Sequence, residues 1–511
     1  MANVITRRCF MSTGFRATLA AALASLGNVP LFVRRALAEG SIGLQGKKVL
    51  FIFLRGGNDG INNVIPIEDP AYYSARPDLG IPKDPDPLVM PRYSIAAGMC
   101  DVVGANYPYA IPLGNGFAAL HPALYKLAPL YNAGDLAIIH RVAYPRQSRS
   151  HFDSERYWEN GVPTNKGLKE GVFYRAMMES GLSGGRALMA VSVQANMPLI
   201  IRGEHPMTNL GDPLRYNLLG VNYSSASNND RVKHLDALDA SYLRPFPEKD
   251  NRTLVYGMGK QFQETLDIFQ QINFANNDFF EPDNPAVRLF NVSDNYFKNL
   301  KAAAQILANT DAIVAGTQLG GFDTHTSQGG ATGGHANLLG RIGQTFHALK
   351  HFFSNPAYNN QGRDLWNDIV VVTLSEFGRT SKENASNGTD HAEASVMYVG
   401  GGAVNGGIYA CDPSINGTTG APNWTPADPG WVPGNPPANG GSMFGVSSAY
   451  LKRAVDYRSV LGEIIRDHLG ATQDQLNRII PAYANESVEH LRFGVSSAST
   501  TSPIIGELGI V

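Results

Sequence analysis

The sequence predicts an α/β fold, a three-layer sandwich with a central, mostly parallel sheet. Continuous apolar runs that end in polar, glycine-containing turns are typical of strands buried on both faces of a sheet. Segments with helical periodicity separate these runs, and such alternation is typical of parallel α/β sheets. Among the 511 residues, 43% are hydrophobic and 17% are charged, as in globular rather than disordered proteins.

Six apolar runs are the predicted strands. They are Lys48–Leu54, Leu136–His140, Leu188–Val193, Ala312–Ala315, Asp368–Leu374 and Ser395–Val399. Ligands of open α/β sheets bind at the carboxyl ends of the strands. The residues that follow these runs are therefore the first candidates for a functional site.

Two segments between the runs carry an apolar stripe with helical spacing. They are His335–Phe353 and Tyr457–Leu469, and the second stops before Gly470, a residue common just after helix ends. Residues 251–310 are predicted to be mainly helical and to form an insertion. Both observations favour helices packed on the sheet.

Residues 39–495 are predicted to form one domain, followed by a C-terminal tail at 496–511. A Gly/Pro-rich loop at 412–441 contains Trp424 and Trp431. These tryptophans either form a platform for a substrate or pin the loop to the body of the protein.

Residues 1–38 resemble a twin-arginine export signal. Arg7 and Arg8 precede a weakly apolar stretch, and Ala36 and Ala38 flank Leu37 as in a cleavage site. The alternative is an ordinary amphipathic helix. The apolar stretch is too short to span a bilayer stably. We therefore expect a mature chain without a transmembrane segment, located in the periplasm or secreted by the twin-arginine route. That route frequently carries folded proteins with a metal or cofactor already inserted.

Composition limits the ligands and partners. Cys100 and Cys411 would remain after export, either paired or free. The sequence contains no CxxC motif or Cys/His cluster, which excludes a thiolate zinc site and a c-type haem. Any metal must be held by Asp, Glu, His and hydroxyl groups. The formal charge of −2 gives no reason to expect a nucleic-acid partner.

Candidate functional residues follow the first two predicted strands. Asp59 lies in a glycine-rich turn and offers a hard oxygen ligand, or else serves the turn's own hydrogen bonds. Ser150, with Ser148 as the second choice, lies beside Arg149. A hydroxyl flanked by arginines fits a nucleophile that faces an anionic ester. Ser150 followed by Asp153 also fits a helix N-cap, so both explanations stay open.

Further candidates lie near the last three strands. Asp323 and His325 are two apart in an extended segment, so both can face one cation. Glu376 directly follows a buried strand, where either a metal or Arg379 must compensate its charge. His391 precedes the sixth strand and is expected at the same edge of the sheet.

The convergence of these side chains predicts hydrolysis of phosphate or sulfate esters. Two metal sites with oxygen and nitrogen ligands suit this reaction, because one ion activates a hydroxyl and the other stabilises the leaving oxygen. We expect one or two divalent ions such as zinc. Arg149 or Arg379 would hold the anion.

Five segments resemble the exported bacterial family called domain of unknown function 1501. They are FLRGGNDGINNVIP, SRSHFDSERYWENG, GFDTH, VVTLSEFGRT and GTDHAEASVMYVGGG. The resemblance implies an alkaline-phosphatase-like fold, in a superfamily that includes sulfatases and cofactor-independent phosphoglycerate mutases.

The resemblance also implies a role for each candidate. Asp323 and His325 would hold the first metal, with His391 as its third ligand. Asp59 would hold the second metal, and Ser150 would be the nucleophile. These roles repeat the chemistry that the residues themselves suggest.

Two departures from the superfamily pattern put the second metal in doubt. Glu376 stands where the superfamily has an Asp followed by a ligand histidine, but Phe377 takes the place of that histidine. Asp323 and His325 are two apart, where the phosphatases have a spacing of four. No sulfatase signature with its modified Cys or Ser follows any strand, which argues against a formylglycine sulfatase.

The sequence therefore predicts an exported, metal-dependent hydrolase that acts on a small-molecule or polysaccharide ester. The alternative is a non-catalytic envelope protein for binding or assembly, which keeps the phosphatase-like fold and binds glycans through Trp424 and Trp431. Phe377 is the feature that favours this alternative.

Overall fold

The structure is a computed structural model that describes most of the chain between residues 42 and 481. The predicted export signal, Cys100, Cys411 and the loop at 412–441 with its two tryptophans lie outside the described residues. So does most of the C-terminal tail. The described ranges are 42–43, 46–67, 70–85, 108–114, 118–144, 147–180, 188–205, 207–215, 264–275, 279–281, 284–410, 451, 455–481, 483 and 507–511.

The described strands form a large central sheet, a small sheet of β2–β4 and a hairpin of β8 and β9. In chain order the strands are β1 (Lys48–Leu54), β2 (Val64–Ile65), β3 (Ile111–Pro112), β4 (Ala119–Leu120), β5 (Leu136–Ala143), β6 (Ala190–Val193), β7 (Thr208–Leu210), β8 (Phe280–Glu281), β9 (Asn284–Arg288), β10 (Val314–Leu319), β11 (Ile369–Ser375), β12 (Ser395–Gly400), β13 (Gly407–Tyr409) and β14 (Val455–Asp456).

Helices separate the strands and cover the sheet. They are α1 (Gly60–Asn63), α2 (Pro70–Ala75), α3 (Ala128–Asn132), α4 (His151–Asn160), α5 (Val172–Glu179), α6 (Asn295–Asn309), α7 (Gly334–Ser354), α8 (Tyr457–Glu463) and α9 (Gln473–Ile479). A π-helical turn, Ile464–His468, continues α8. The two helices predicted from apolar stripes are α7 and the segment formed by α8 and this turn.

The central sheet is mixed but mostly parallel, which confirms the predicted α/β class. Its order is β13-β5-β12-β11-β1-β10-β6-β7, and β14 also pairs with β5. β12 is antiparallel to both of its neighbours, β11 and β5. All six predicted strands are present in this sheet, with ends that differ by a few residues.

β1 shows why the apolar runs are continuous rather than alternating. Leu50, Ile52 and Leu54 belong to the core on one face of the sheet, together with side chains of α6 and α7. Val49 and Phe51 belong to the core on the other face, with side chains of α5, α8 and α9. Because helices cover both faces, every position of this strand is buried.

Strand direction decides which loops meet. β10, β1 and β11 are parallel neighbours, so their carboxyl ends lie at one edge of the sheet. β12 runs the opposite way, so the residues that enter it lie at that same edge. β5 is antiparallel to β12, and the residues that leave β5 therefore lie there too. We call this side of the sheet the carboxyl edge.

The predicted helical insertion at 251–310 contains strands as well as helices in its described part. Residues 264–270 are helical, and the hairpin of β8 and β9 follows. α6 packs against β10 and β6 of the central sheet and buries Leu300, Ala304 and Leu307. This helix is therefore a layer of the sandwich.

None of the helices among the described residues is both long and apolar enough to span a bilayer.

Gly316 tests the packing of the central strands. It lies opposite Phe51 on neighbouring strands, and a Cβ at this position would overlap the Phe51 ring. We expect Gly316→Ala to lower the free energy of unfolding by about 1–3 kcal/mol, the usual cost of overpacking a core. Urea denaturation measures this change. Gly211→Ala is the matched control, since no atom lies within 4 Å of its added Cβ. Equal stability of the two variants would contradict the packing.

Candidate functional site

A glycine turn follows β1 at the carboxyl edge. Gly56 and Gly57 have φ angles of +117° and +81°, which residues other than glycine rarely adopt. A Cβ at Gly56 would overlap the backbone of Asp323, and one at Gly57 would overlap the ring of Phe377. The Gly56 N–H donates to Glu376 Oε1 over 2.6 Å. The glycines thus bring the loops after β1, β10 and β11 into contact.

Three imidazoles converge on one carboxylate at this edge. The Nε2 atoms of His325 and His391 lie 3.0 and 3.2 Å from Asp323 Oδ1, and His151 Nε2 lies 3.5 Å from it. The Nε2 atoms of His325 and His391 are 2.9 Å apart. We call these four residues the histidine cluster.

Each imidazole of the histidine cluster is held from behind through its other nitrogen. His151 Nδ1 lies 3.0 Å from Glu376 Oε1, and His325 Nδ1 lies 3.0 Å from Asp390 Oδ1. His391 Nδ1 donates to the carbonyl of Arg149 over 2.8 Å. These carboxylate and carbonyl oxygens only accept, so each Nδ1 is the donor.

These partners determine where the lone pairs point. A neutral imidazole has one N–H, so with Nδ1 donating, each Nε2 carries a lone pair. The lone pairs of His325 and His391 then face each other and Asp323. His151 Nε2 is buried and makes no hydrogen bond with the described residues. A cation, either a proton or a metal ion, relieves this repulsion.

The electrostatics of the histidine cluster centre on Asp323. Partial burial would raise the pKa of Asp323, but the hydrogen bond and charge of Arg379 lower it to about 2. Hydrogen bonding to Glu376 raises the pKa of His151, whereas burial lowers the pKa of His391. Asp323 is thus a carboxylate throughout the physiological range.

The structure brings together three of the predicted metal ligands, Asp323, His325 and His391, and adds His151. Sequence reasoning did not select His151, although it directly follows Ser150 in the segment after β5. It is the first residue of α4. The sequence could have indicated His151, because it lies beside a candidate nucleophile and follows a strand that reaches the carboxyl edge.

Ser150 lies between two residues that contact the histidine cluster. Arg149 provides the carbonyl that accepts from His391, and His151 follows. Ser150 is exposed and is the N-cap residue of α4, but its hydroxyl makes no capping hydrogen bond. The hydroxyl is therefore not used as a cap. Ser148 is half-buried, and its Oγ accepts from the Ser150 N–H over 3.3 Å.

Glu376 supports a ligand rather than contacting the centre of the cluster. It is fully buried, and Oε1 accepts from Gly56 and His151. Oε2 has no hydrogen-bond partner among the described residues. The chain thus places Glu376 behind His151, because the loop after β11 lies beneath the first turn of α4. This position differs from the direct metal ligation expected from sequence.

Arg379 differs from the expected anion binder in the same way. It is 1% exposed, and its guanidinium donates to the carbonyls of Gly57, Thr389 and Phe322 and to Asp323 Oδ1. It compensates Asp323 rather than Glu376. Its donors bind the protein itself because the guanidinium lies beneath the loops and not in the open site.

Phe377 forms the floor under the imidazoles. It is fully buried, and its ring centroid lies 4.9 Å from that of His151 and 4.6 Å from that of His391. The residue that replaces an expected ligand histidine therefore packs against two histidines that other loops supply.

Asp59 does not join the histidine cluster, which corrects the expectation that it binds a metal. Both Asp59 and Arg76 are buried, and Asp59 Oδ2 and Oδ1 lie 2.6 and 3.0 Å from the two terminal nitrogens of Arg76. Gln328 Nε2 donates to Oδ2 over 2.7 Å. Burial alone would raise the pKa of Asp59, but Arg76 lowers it to about 2. The guanidinium takes the place that a cation would need.

The histidine cluster fits a metal ion by its donor set. His151, Asp323 and His391 each offer a ligand atom, and these atoms all lie within 4.8 Å of one another. Histidines that ligate metals commonly donate their other ring N–H to a carboxylate or carbonyl, as all three imidazoles do here. Nitrogen and carboxylate ligands suit zinc and related transition metals.

Comparison with known proteins supports the family resemblance and adds no function. Residues 186–418 match the model of a family described as "Protein of unknown function (DUF1501)". This stretch contains Asp323, His325, Glu376 and His391, and it begins after Ser150. A comparison with curated proteins finds no match.

Asp59→Asn tests the buried ion pair. The substitution leaves Arg76 charged and buried without its partner, so we expect the free energy of unfolding at pH 7 to fall by about 3–5 kcal/mol. The pKa of Asp59 falls from an ordinary 3.8 to about 2 in the folded protein. The pair therefore stabilises the fold above about pH 4, and this contribution is lost as the pH falls toward 2.

Urea denaturation across this pH range measures the difference between the two proteins, which should shrink in acid. Asp467→Asn is the control, because Asp467 is exposed and its partner Arg466 also contacts Glu507. Its cost should stay within about 1 kcal/mol. A loss from Asp59→Asn as small as that of the control would contradict the buried pair.

Proposed function

We propose that this chain, which resembles the DUF1501 family over residues 186–418, is a metal-dependent hydrolase of phosphate or sulfate esters. One observation carries the proposal. Three imidazoles direct Nε2 toward one carboxylate, and each Nδ1 has an acceptor, so that Nε2 carries the lone pair in the neutral imidazole. Such an arrangement is costly without a cation and favourable with one.

The proposed metal site uses His151, Asp323 and His391, with His325 beside them. A divalent ion bound there would polarise an ester oxygen and lower the pKa of a hydroxyl group. Zinc fits the nitrogen and oxygen donors. The involvement of Asp59 in an ion pair favours one ion over two at this site.

The residues of the chain provide the rest of the proposed chemistry. Ser150 is the proposed nucleophile: its Oγ would attack phosphorus or sulfur, the alcohol would leave, and water would then hydrolyse the serine ester. The N-terminus of α4 favours the negative charge of such a substrate. Arg149 is exposed beside Ser150, where its charge would attract an anionic ester.

The wider setting is also a proposal. An alkaline-phosphatase-like fold fits the mostly parallel sheet with a site at its carboxyl edge. Export by the twin-arginine route would place the enzyme in the periplasm or outside the cell, where a small-molecule or polysaccharide ester is its substrate. Phe152, 86% exposed on the first turn of α4, offers an apolar contact for the alcohol part of that ester.

Metal content and turnover test the proposal together. The purified chain is loaded with Zn²⁺, metal is measured by mass spectrometry, and aryl phosphate monoesters, diesters and aryl sulfates are assayed. His151→Gln and His391→Gln should lose most of the bound metal, because each removes a ligand. Ser150→Ala should keep the metal and lose turnover by about a thousandfold or more, as expected when a nucleophile is removed.

His205→Gln is the matched control for metal content, since His205 is an exposed histidine outside the histidine cluster. If Ser148→Ala abolishes turnover and Ser150→Ala does not, Ser148 is the nucleophile. A chain that binds no metal and hydrolyses none of these esters would overturn the proposal. Polysaccharide binding by such a chain would support a non-catalytic envelope protein.

A further inference from the structure

Gln328 links the buried Asp59–Arg76 ion pair to the loops that carry the histidine cluster. It lies between β10 and α7 and is 1% exposed. Its Nε2 donates to Asp59 Oδ2 over 2.7 Å. Its Oε1 accepts from the hydroxyls of Thr324 and Thr389 over 2.8 and 2.6 Å. One amide thus joins three separate segments of the chain.

The surroundings determine the orientation of this amide. The Asp59 carboxylate can only accept hydrogen bonds, so the amide NH₂ group must face it. The amide oxygen then faces the two threonine hydroxyls, which donate to it. A rotated amide would place its oxygen against the Asp59 carboxylate, where two acceptors repel and the hydrogen bond to Oδ2 is lost.

The two threonines belong to the segments that hold the cluster. Thr324 lies between Asp323 and His325, and Thr389 lies two residues before His391. The Thr389 N–H also donates to the Thr324 carbonyl over 3.1 Å. The Gln328 oxygen therefore clamps the two segments from their buried side, while the imidazoles meet on the open side.

We propose that Gln328 is a positioning residue that sets the separation of the His325 and His391 imidazoles and thereby the affinity of the cluster for a metal ion. The metal-affinity part rests on the proposed function. Gln328 contacts neither imidazole, so its effect must pass through Thr324 and Thr389. Outer partners of this kind commonly change metal affinity by about 10–100-fold when they are removed.

Gln328→Met tests the inference, because Met keeps the length of the side chain and removes its donor and acceptor. We expect Zn²⁺ affinity, measured by competition with a chromophoric chelator, to fall about 10–100-fold. Thr389→Val is a second, milder variant that keeps the bond from Gln328 to Asp59. It should weaken affinity about fivefold, the worth of one neutral hydrogen bond.

Gln475→Met is the matched control. Gln475 is also fully buried and hydrogen-bonded through its side chain, but it belongs to the capping box of α9 and donates to the carbonyl of Glu179. It should lower stability and leave Zn²⁺ affinity unchanged. This comparison separates positioning from a general loss of stability.

A second measurement does not depend on metal. In the metal-free chain labelled at histidine with ¹⁵N, the imidazole signals of His325 and His391 should shift in Gln328→Met and stay in place in Gln475→Met. Unchanged signals in Gln328→Met and Thr389→Val would overturn the inference whether or not the chain binds metal. If the signals shift in Gln328→Met but the wild-type chain binds no Zn²⁺, the positioning role is supported and the proposed function is rejected. If Gln328→Met and Thr389→Val both bind Zn²⁺ as tightly as the wild-type chain, the effect on metal affinity is rejected, whereas the positioning role is judged by the imidazole signals.

Discussion

The guanidinium of Arg379 holds the loops of the site together. From the loop after β11 it reaches Gly57 after β1, Phe322 and Asp323 after β10, and Thr389 before β12. Its planar fork of five N–H donors suits several acceptors at once, which a lysine could not match. Its charge also keeps Asp323 ionised in a partly buried position. Without it, several buried carbonyls and one carboxylate would lose their partner, so the arrangement of the imidazoles depends on this side chain.

The imidazoles are oriented from outside the cluster rather than by one another. Glu376, Asp390 and the Arg149 carbonyl each accept from one Nδ1, and each of them belongs to a different loop from the histidine that it holds. This explains why a carboxylate at the end of β11 is present without pointing at the centre. Its charge reaches the site through His151. The other oxygen of Glu376, Oε2, is buried and makes no hydrogen bond with the described residues.

The guanidinium of Arg76 lies beside Asp59, where the sequence predicted a second metal ion. Arg76 binds both oxygens of Asp59 in a fully buried pair, and Gln328 completes the carboxylate's hydrogen bonds. The sequence shows Asp59 after a strand, as a metal ligand would be. It does not show that Arg76, 17 residues later and directly after α2, folds back onto Asp59. A buried carboxylate requires a positive partner, and sequence alone does not say whether the partner is an ion or a side chain.

Sequence by itself determined the class of fold, the strands and the edge at which the candidate residues collect. Apolar runs and helical stripes are local patterns, and parallel strands bring their carboxyl ends to one edge whatever their order. Only the tertiary structure decided which side chains face one another. It joined His151 to Asp323, turned Asp59 toward Arg76, and directed Arg379 inward to the backbone. These choices depend on ångström-scale distances between loops far apart in the chain, set by strand order and by the antiparallel β12, which no local pattern encodes.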